Sequence, residues 1–256
     1  MPTASNGSVS LYYEADGDPD RETVVLLGEA GYGAWQWGWQ HAGLTGPFET
    51  LVTDLRGAGR SDAPAGPYAV DDLVADVQAV LEAHGRRRVH VVGAGLGGMV
   101  ALELARVSSR PRSLALLGTA PVGSDLTLDP LFGDPSDPDA LETSLGAAFS
   151  RDFLDAHPDV VEQVVDWRAA EDATPEAWAA QAAAVEAFDV SDRFYEVDVP
   201  ALVVHGRDDA VWPVAYGRRL ADELPRGEFV GLDGGHLIGI ERSRGVNDRL
   251  FGFLGA

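Results

Sequence analysis

Few residues in this chain could do chemistry. Six histidines are the candidate bases or ligands: His41, His84, His90, His157, His205 and His236. There is no cysteine, so a thiolate nucleophile, a disulfide and thiolate metal ligation are all excluded. No spacing among the histidines suggests a metal site, and no metal is expected. His90 and His205 fall in strand patterns and read as satisfied core or edge residues. Glycine is the other concentration. Gly93-Ala94-Gly95-Leu96-Gly97-Gly98 follows the apolar run from Val89 to Val92, which reads as strand, sharp turn, helix. The segment formally contains G-x-G-x-x-G, the phosphate-cradling turn of dinucleotide folds. That turn belongs in a first βαβ unit, with a ribose-binding acid about 20 residues further on. Here it follows several strand patterns, and the next strand runs into Leu116-Leu117-Gly118-Thr119, so no nucleotide or other cofactor is expected. Aromatics cluster in Trp35-Gln36-Trp37-Gly38-Trp39, just after Gly28-Glu29-Ala30-Gly31. Their period-two spacing makes no clean helical face. One or two rings should pack the core, which leaves Trp35, together with Trp212, as candidate substrate contacts.

The elements that must position these residues alternate along the chain. Strand patterns are Val9–Ala15, Thr23–Leu27, Thr50–Asp54, Val89–Val92, Ser113–Leu117, Ala201–His205 and Glu228–Leu232. Helix patterns are Val70–His84, Gly97–Val107, Pro213–Leu224 and Arg244–Leu254. The strands are short and apolar throughout, which suits a mostly parallel sheet buried between helix layers, an α/β fold. Residues 121–199 break the alternation with a Pro/Asp/Gly-rich opening, then Ala- and acid-rich helical spacing. The simplest reading is a helical cap over the C-terminal edge of the sheet, where open α/β sheets bind ligands. The expected organisation is a core of residues 1–120 and 200–256 with a cap of residues 121–199. A chain of 256 residues suits that single core with a modest insertion.

Charge narrows the partners. The chain holds 26 Asp, 15 Glu, 19 Arg and no Lys, for a net charge of −22. Residues 121–199 carry 19 acids and 3 arginines, hence −16 of that total. Such a surface repels phosphate backbones, and the one dense basic run, Arg86-Arg87-Arg88, reads as a solvated connection near a helix C-terminus. Nucleic acid is not an expected partner; a small neutral molecule is. Lysine-free, aspartate-rich composition points to adaptation to a saline cytosol, where salt screens self-repulsion. No apolar run approaches the ~20 residues of a membrane span. Met1 to Ser8 lacks the basic-then-apolar pattern of a secretory signal, so a cytoplasmic protein is expected. Nothing in the sequence sets an oligomeric state.

Four motifs, in order, resemble those of the α/β-hydrolase fold superfamily. The Gly93–Gly97 turn is similar to the nucleophile elbow G-x-S-x-G, with Gly95 at the nucleophile's position. Asp54-Leu-Arg56-Gly57-Ala-Gly59-Arg-Ser61 resembles the D-x-R-G-x-G-x-S segment after the fourth strand. Gly206-Arg-Asp208-Asp209 and Pro213 resemble the strand-seven motif and imply Asp209 as the triad acid, while Gly234-Gly235-His236 implies His236 as the triad histidine. The resemblance spans roughly Val9 to Leu254. It implies an eight-stranded-type sheet and an oxyanion hole from the backbone N–H groups of Ala30 and Leu96.

Two departures stand out. Gly95 offers no side chain to acylate, so a serine-type acyl-enzyme is excluded. Gly28-Glu29 replaces the family's H-G dipeptide, placing an acid beside the oxyanion donors. Glu29 is expected to point to solvent or to bond a nearby Arg or Trp N–H. If it faces the pocket, it opposes an oxyanion when ionised and acts as an acid when protonated. Glycine at 95 is expected to relax the elbow and to leave room for a water or a substrate atom. The resemblance then implies a His236–Asp209 dyad acting as general base on a small neutral carbonyl compound. Ester or lactone hydrolysis by activated water and proton-transfer or lyase chemistry both remain open. The alternative is a non-catalytic ligand-binding protein of the same fold. Serine restored at position 95 is expected to give esterase activity if the triad geometry is intact.

Overall fold

The structure, a computed structural model, describes residues 2–255; Met1 and Ala256, at the outer bounds of the expected core, lie outside the described residues. Among the described residues eight strands form one sheet: β1 (Thr3–Asn6), β2 (Val9–Asp16), β3 (Thr23–Leu27), β4 (Glu49–Thr53), β5 (Val89–Ala94), β6 (Pro111–Leu117), β7 (Ala201–Gly206) and β8 (Gly227–Leu232). Their order is β1-β2-β4-β3-β5-β6-β7-β8. The β1/β2 and β2/β4 pairings are antiparallel and every later pairing is parallel. All five residues of β3 are buried, as expected of a strand covered on both faces. Val25 and Leu27 join the core with α2 (Val70–Ala83) and α3 (Leu96–Val107). Val24 and Leu26 join a second core, with α1 (Gly38–Leu44) and the helix Ser243–Leu254.

The expected strands and helices are present, each within two residues of its predicted bounds. β1 was not anticipated: Thr3-Ala4-Ser5-Asn6 has no apolar alternation, and only its pairing with β2 makes it a strand. Nor was α1, whose Trp- and Gly-rich sequence has poor helical periodicity.

Between β6 and β7 lie four helices: α4 (Pro138–Ala148), α5 (Arg151–Ala156), α6 (Pro158–Glu171) and α7 (Pro175–Glu186). Local signals start them. Asp137 accepts from Asp139 N and Ala140 N ahead of α4, Ser150 accepts from Phe153 N, and Thr174 accepts from Ala177 N. Proline stands first in α4, α6 and α7, where no intrahelical N–H is needed. The insertion rests on loops at the C-terminal ends of β3 and β4. Gln181 of α7 accepts from Gly31 N at 2.6 Å and donates to Arg56 O at 2.6 Å. Gly59 N reaches Glu171 O at 2.8 Å, and Trp35 Nε1 donates to Asp172 at 2.8 Å.

Candidate active site

The site is assembled at the C-terminal ends of β3, β5, β7 and β8. β5 leads through Gly95 directly into α3, with Gly95 at φ +49°, ψ −113°. The bend is held by its surroundings: Gly95 N donates to Leu117 O at 3.0 Å and Gly97 N to Gly28 O at 2.9 Å. A Cβ at Gly97 would fall 2.1 Å from Leu27 O, so glycine there lets α3 approach β3. The sharp bend persists because neighbouring backbone imposes it, and glycine only makes it strain-free.

Asp209 follows β7. Its Oδ1 accepts from Val211 N at 3.0 Å and Trp212 N at 2.8 Å, which aims Oδ2 at His236 Nδ1, 2.9 Å away. Burial works against the charge of Asp209, but His236 and His205 outweigh it and hold the carboxyl well below its ordinary range. His236 follows β8, is buried, and lies 5.7 Å from the Trp212 ring, centroid to centroid.

Glu29 lies elsewhere than expected. It is only 1% exposed and points inward. Its Oε1 accepts from Ala30 N at 2.5 Å and Leu96 N at 3.1 Å, the two presumptive oxyanion donors. Its Oε2 lies 2.7 Å from His236 Nε2. The volume above Gly95 is thus filled by the Glu29 carboxylate, where a space for water or substrate was expected. Two backbone donors and an imidazole converge there and satisfy a charge that burial would otherwise penalise.

The same contact sets the charge state of His236. Burial alone would lower its pKa, but the carboxylates of Asp209 and Glu29 raise it to about 10. With a carboxylate at each ring nitrogen it is an imidazolium at neutral pH, and no ring nitrogen is free to act as a base in this arrangement.

Three neighbours complete the picture. Trp35 is buried against Tyr32, centroids 5.2 Å apart, and its indole N–H holds Asp172 of the insertion, so it fastens two elements rather than lining a pocket. Trp212 is fully buried beside His236. His205 is more than a satisfied core residue: its Nε2 lies 2.6 Å from Trp212 O and 3.2 Å from Asp209 Oδ2, while Nδ1 has no partner among the described residues. Its spacing four residues before Asp209 was the available signal. A cavity of about 20 Å³, room for roughly one water, adjoins His236 and is lined by Gln36, Trp37 and Gln40. Gln36 also fixes Glu29, accepting its backbone N–H at 3.2 Å.

A mostly parallel sheet with a strand–glycine–helix bend, an acid after β7 and a histidine after β8 defines the α/β-hydrolase class, and the alpha/beta hydrolase fold family matches residues 24–243. The chain belongs to that family. Among its relatives, the RutD protein of Azorhizobium caulinodans, named for carbamate hydrolysis, is 30% identical over 100% of this chain and 98% of its own. The 3-oxoadipate enol-lactonase 2 of Acinetobacter baylyi is 25% identical over 96% of this chain and 93% of its own. The crystal structure of the enol-lactonase from Burkholderia xenovorans LB400 superposes with a TM-score of 0.90 at 29% identity, covering 100% of both chains. Among the described residues, no helix is long and apolar enough to cross a membrane.

Proposed function

We propose that this protein hydrolyses a small neutral carbonyl compound, an ester, a lactone or a carbamate, using water as the nucleophile beneath a cap of residues 121–199. One observation carries the reading. Ala30 N–H, Leu96 N–H and the Asp209-backed His236 converge on a single carboxylate, the group that such a hydrolysis produces. The relatives named for carbamate and enol-lactone hydrolysis support the same substrate class.

Turnover requires the Glu29 carboxylate to leave the two N–H groups. Glu29 takes the Nε2 proton with it as a neutral acid and passes it to solvent; His236, now neutral and held at Nδ1 by Asp209 alone, can accept a proton. Water takes the volume above Gly95 and attacks the carbonyl carbon, and its proton passes to His236 Nε2. The carbonyl oxygen becomes an oxyanion on Ala30 and Leu96 N–H. Collapse breaks the bond to the leaving alkoxide or amine, which takes the proton back from His236. General-base catalysis contributes about 10²–10⁴ and an oxyanion donor about 10²–10³, adequate for a modest enzyme without a covalent nucleophile.

The test is a panel of small esters, lactones and carbamates assayed in molar KCl. His236→Ala should lower kcat/KM by about 10²–10⁴. ¹⁸O from solvent water should enter the acid product with no acyl-protein mass at early times. Undiminished turnover by His236→Ala, or an acyl adduct, overturns the reading. A second reading, a non-catalytic ligand-binding protein, is favoured by Glu29 filling the hole and His236 being a cation. Under it no compound turns over, and His236→Ala leaves ligand affinity nearly unchanged.

A further inference from the structure

Positions 29 and 95 share one volume. A Cβ built on Gly95 would lie 1.5 Å from Glu29 Oε2, 2.1 Å from its Cδ and 2.3 Å from Oε1. No side chain at position 95 can coexist with Glu29 as it stands. Among the described residues the carboxylate has no Arg partner, and its only charged contact is His236. What holds it is the machinery itself, two N–H groups on one oxygen and the imidazole on the other.

We infer that the space between Ala30 N–H, Leu96 N–H and His236 is a carboxylate-binding site, occupied in the resting protein by the chain's own Glu29, which a substrate must displace and which excludes free monocarboxylates. The inference rests on assigning those two N–H groups as the oxyanion donors of the proposed reaction. The ligand class is small planar monocarboxylates, formate and acetate being the simplest. Glu29 is attached to the residue that carries one of the donors, so it competes at an effective concentration of the order of mM or above. Free acids that bind more weakly than this do not displace it. The consequence for a hydrolase is resistance to its own acid product.

Truncation supplies the test. Glu29→Ala removes Cγ, Cδ and both carboxylate oxygens, which are the four heavy atoms of acetate. Titration of the variant with acetate at constant ionic strength should show 1:1 saturable binding. Its melting temperature should rise with the logarithm of acetate concentration. Acetamide and chloride should do neither, and the wild-type protein should not respond. A folded Glu29→Ala variant that ignores acetate, or a wild-type protein that binds it equally, overturns the inference. Should Glu29→Ala not fold even in acetate, Glu29→Gly gives a second reading, because it vacates the same volume without adding a side chain at position 95. Acetate should then bind this variant, and failure to bind overturns the inference. A crystal structure of the wild type with the Glu29 carboxylate away from Ala30 N and Leu96 N would also overturn it. Acetate binding is read without turnover, so an inert protein that binds acetate sinks only the hydrolysis, and an active one that does not sinks only this inference.

Discussion

Glu29, His236 and Asp209 form a line of alternating charge inside the protein, and pH reports on it. The pKa of His236 is raised to about 10 in the folded chain, against about 6.5 when unfolded. Its stabilisation is therefore complete below pH 6.5 and is lost as pH rises through 10. The Asp209 carboxyl is depressed, so its contribution is present above the ordinary carboxylate value and lost only in strong acid. Melting temperature measured from pH 6 to 10.5 should fall in the wild type, and the fall should be much weaker in His236→Gln. Equal slopes would show that His236 is not held as a cation. Serine at position 95 is a second probe. Gly95→Ser alone should form no acyl-enzyme, since its Cβ collides with Glu29. Gly95→Ser combined with Glu29→Ala should form an acyl-enzyme detectable by mass. The expectation that serine alone tests the triad geometry is thus revised, and an acyl adduct on the single variant would mean that Glu29 gives way freely. Gly95, Asp209 and His236 were readable because each sits in a short motif. The meeting of Glu29 with Leu96 and His236 spans 67 and 207 residues and carries no local signal.

At the scale of elements, the insertion and the loops after β3 and β4 hold each other through a few buried polar contacts. Gln181 of α7 is fully buried and ties the loop after β3 to the loop after β4. Gln181→Met leaves Gly31 N–H and Arg56 C=O without that partner, at a cost of about 1–3 kcal/mol per unsatisfied group. Hydrogen exchange at Gly31 should speed up by about tenfold or more in that variant, with amides of β3 unchanged; an unaltered Gly31 would show that the clamp is dispensable. The helical character of the insertion was legible from its Ala- and acid-rich spacing, while the starts of its helices are set by Pro, Ser, Thr and Asp. The 3₁₀ turn and α1 over residues 34–44 were not legible, because the core that receives Trp37 and Leu44 decides their conformation, not their own periodicity.

For the whole molecule, charge governs. A net −22 on 256 residues repels itself, and −16 of it lies within residues 121–199. The Debye length falls from about 10 Å at 0.1 M salt to about 3 Å at 1 M. Melting temperature should therefore climb by several degrees from 0.05 to 2 M KCl, and a flat response would remove the saline-adaptation reading. The same screening should speed entry of any weakly anionic substrate past the acidic insertion.

Apolar runs bounded by glycine and proline are enough to dictate the parallel sheet and its helices, since burial on both faces demands that pattern of each strand separately. The bend at Gly95 and the loops bearing Asp209 and His236 follow from equally local constraints. What occupies the space between them is a different kind of question. Glu29 turns inward because folding brings two unpaired N–H groups and an acid-backed imidazole within reach of one carboxylate, and removes the one Cβ that would have kept it out. That choice between solvent and site is a comparison of energies in three dimensions, and only the tertiary structure makes it.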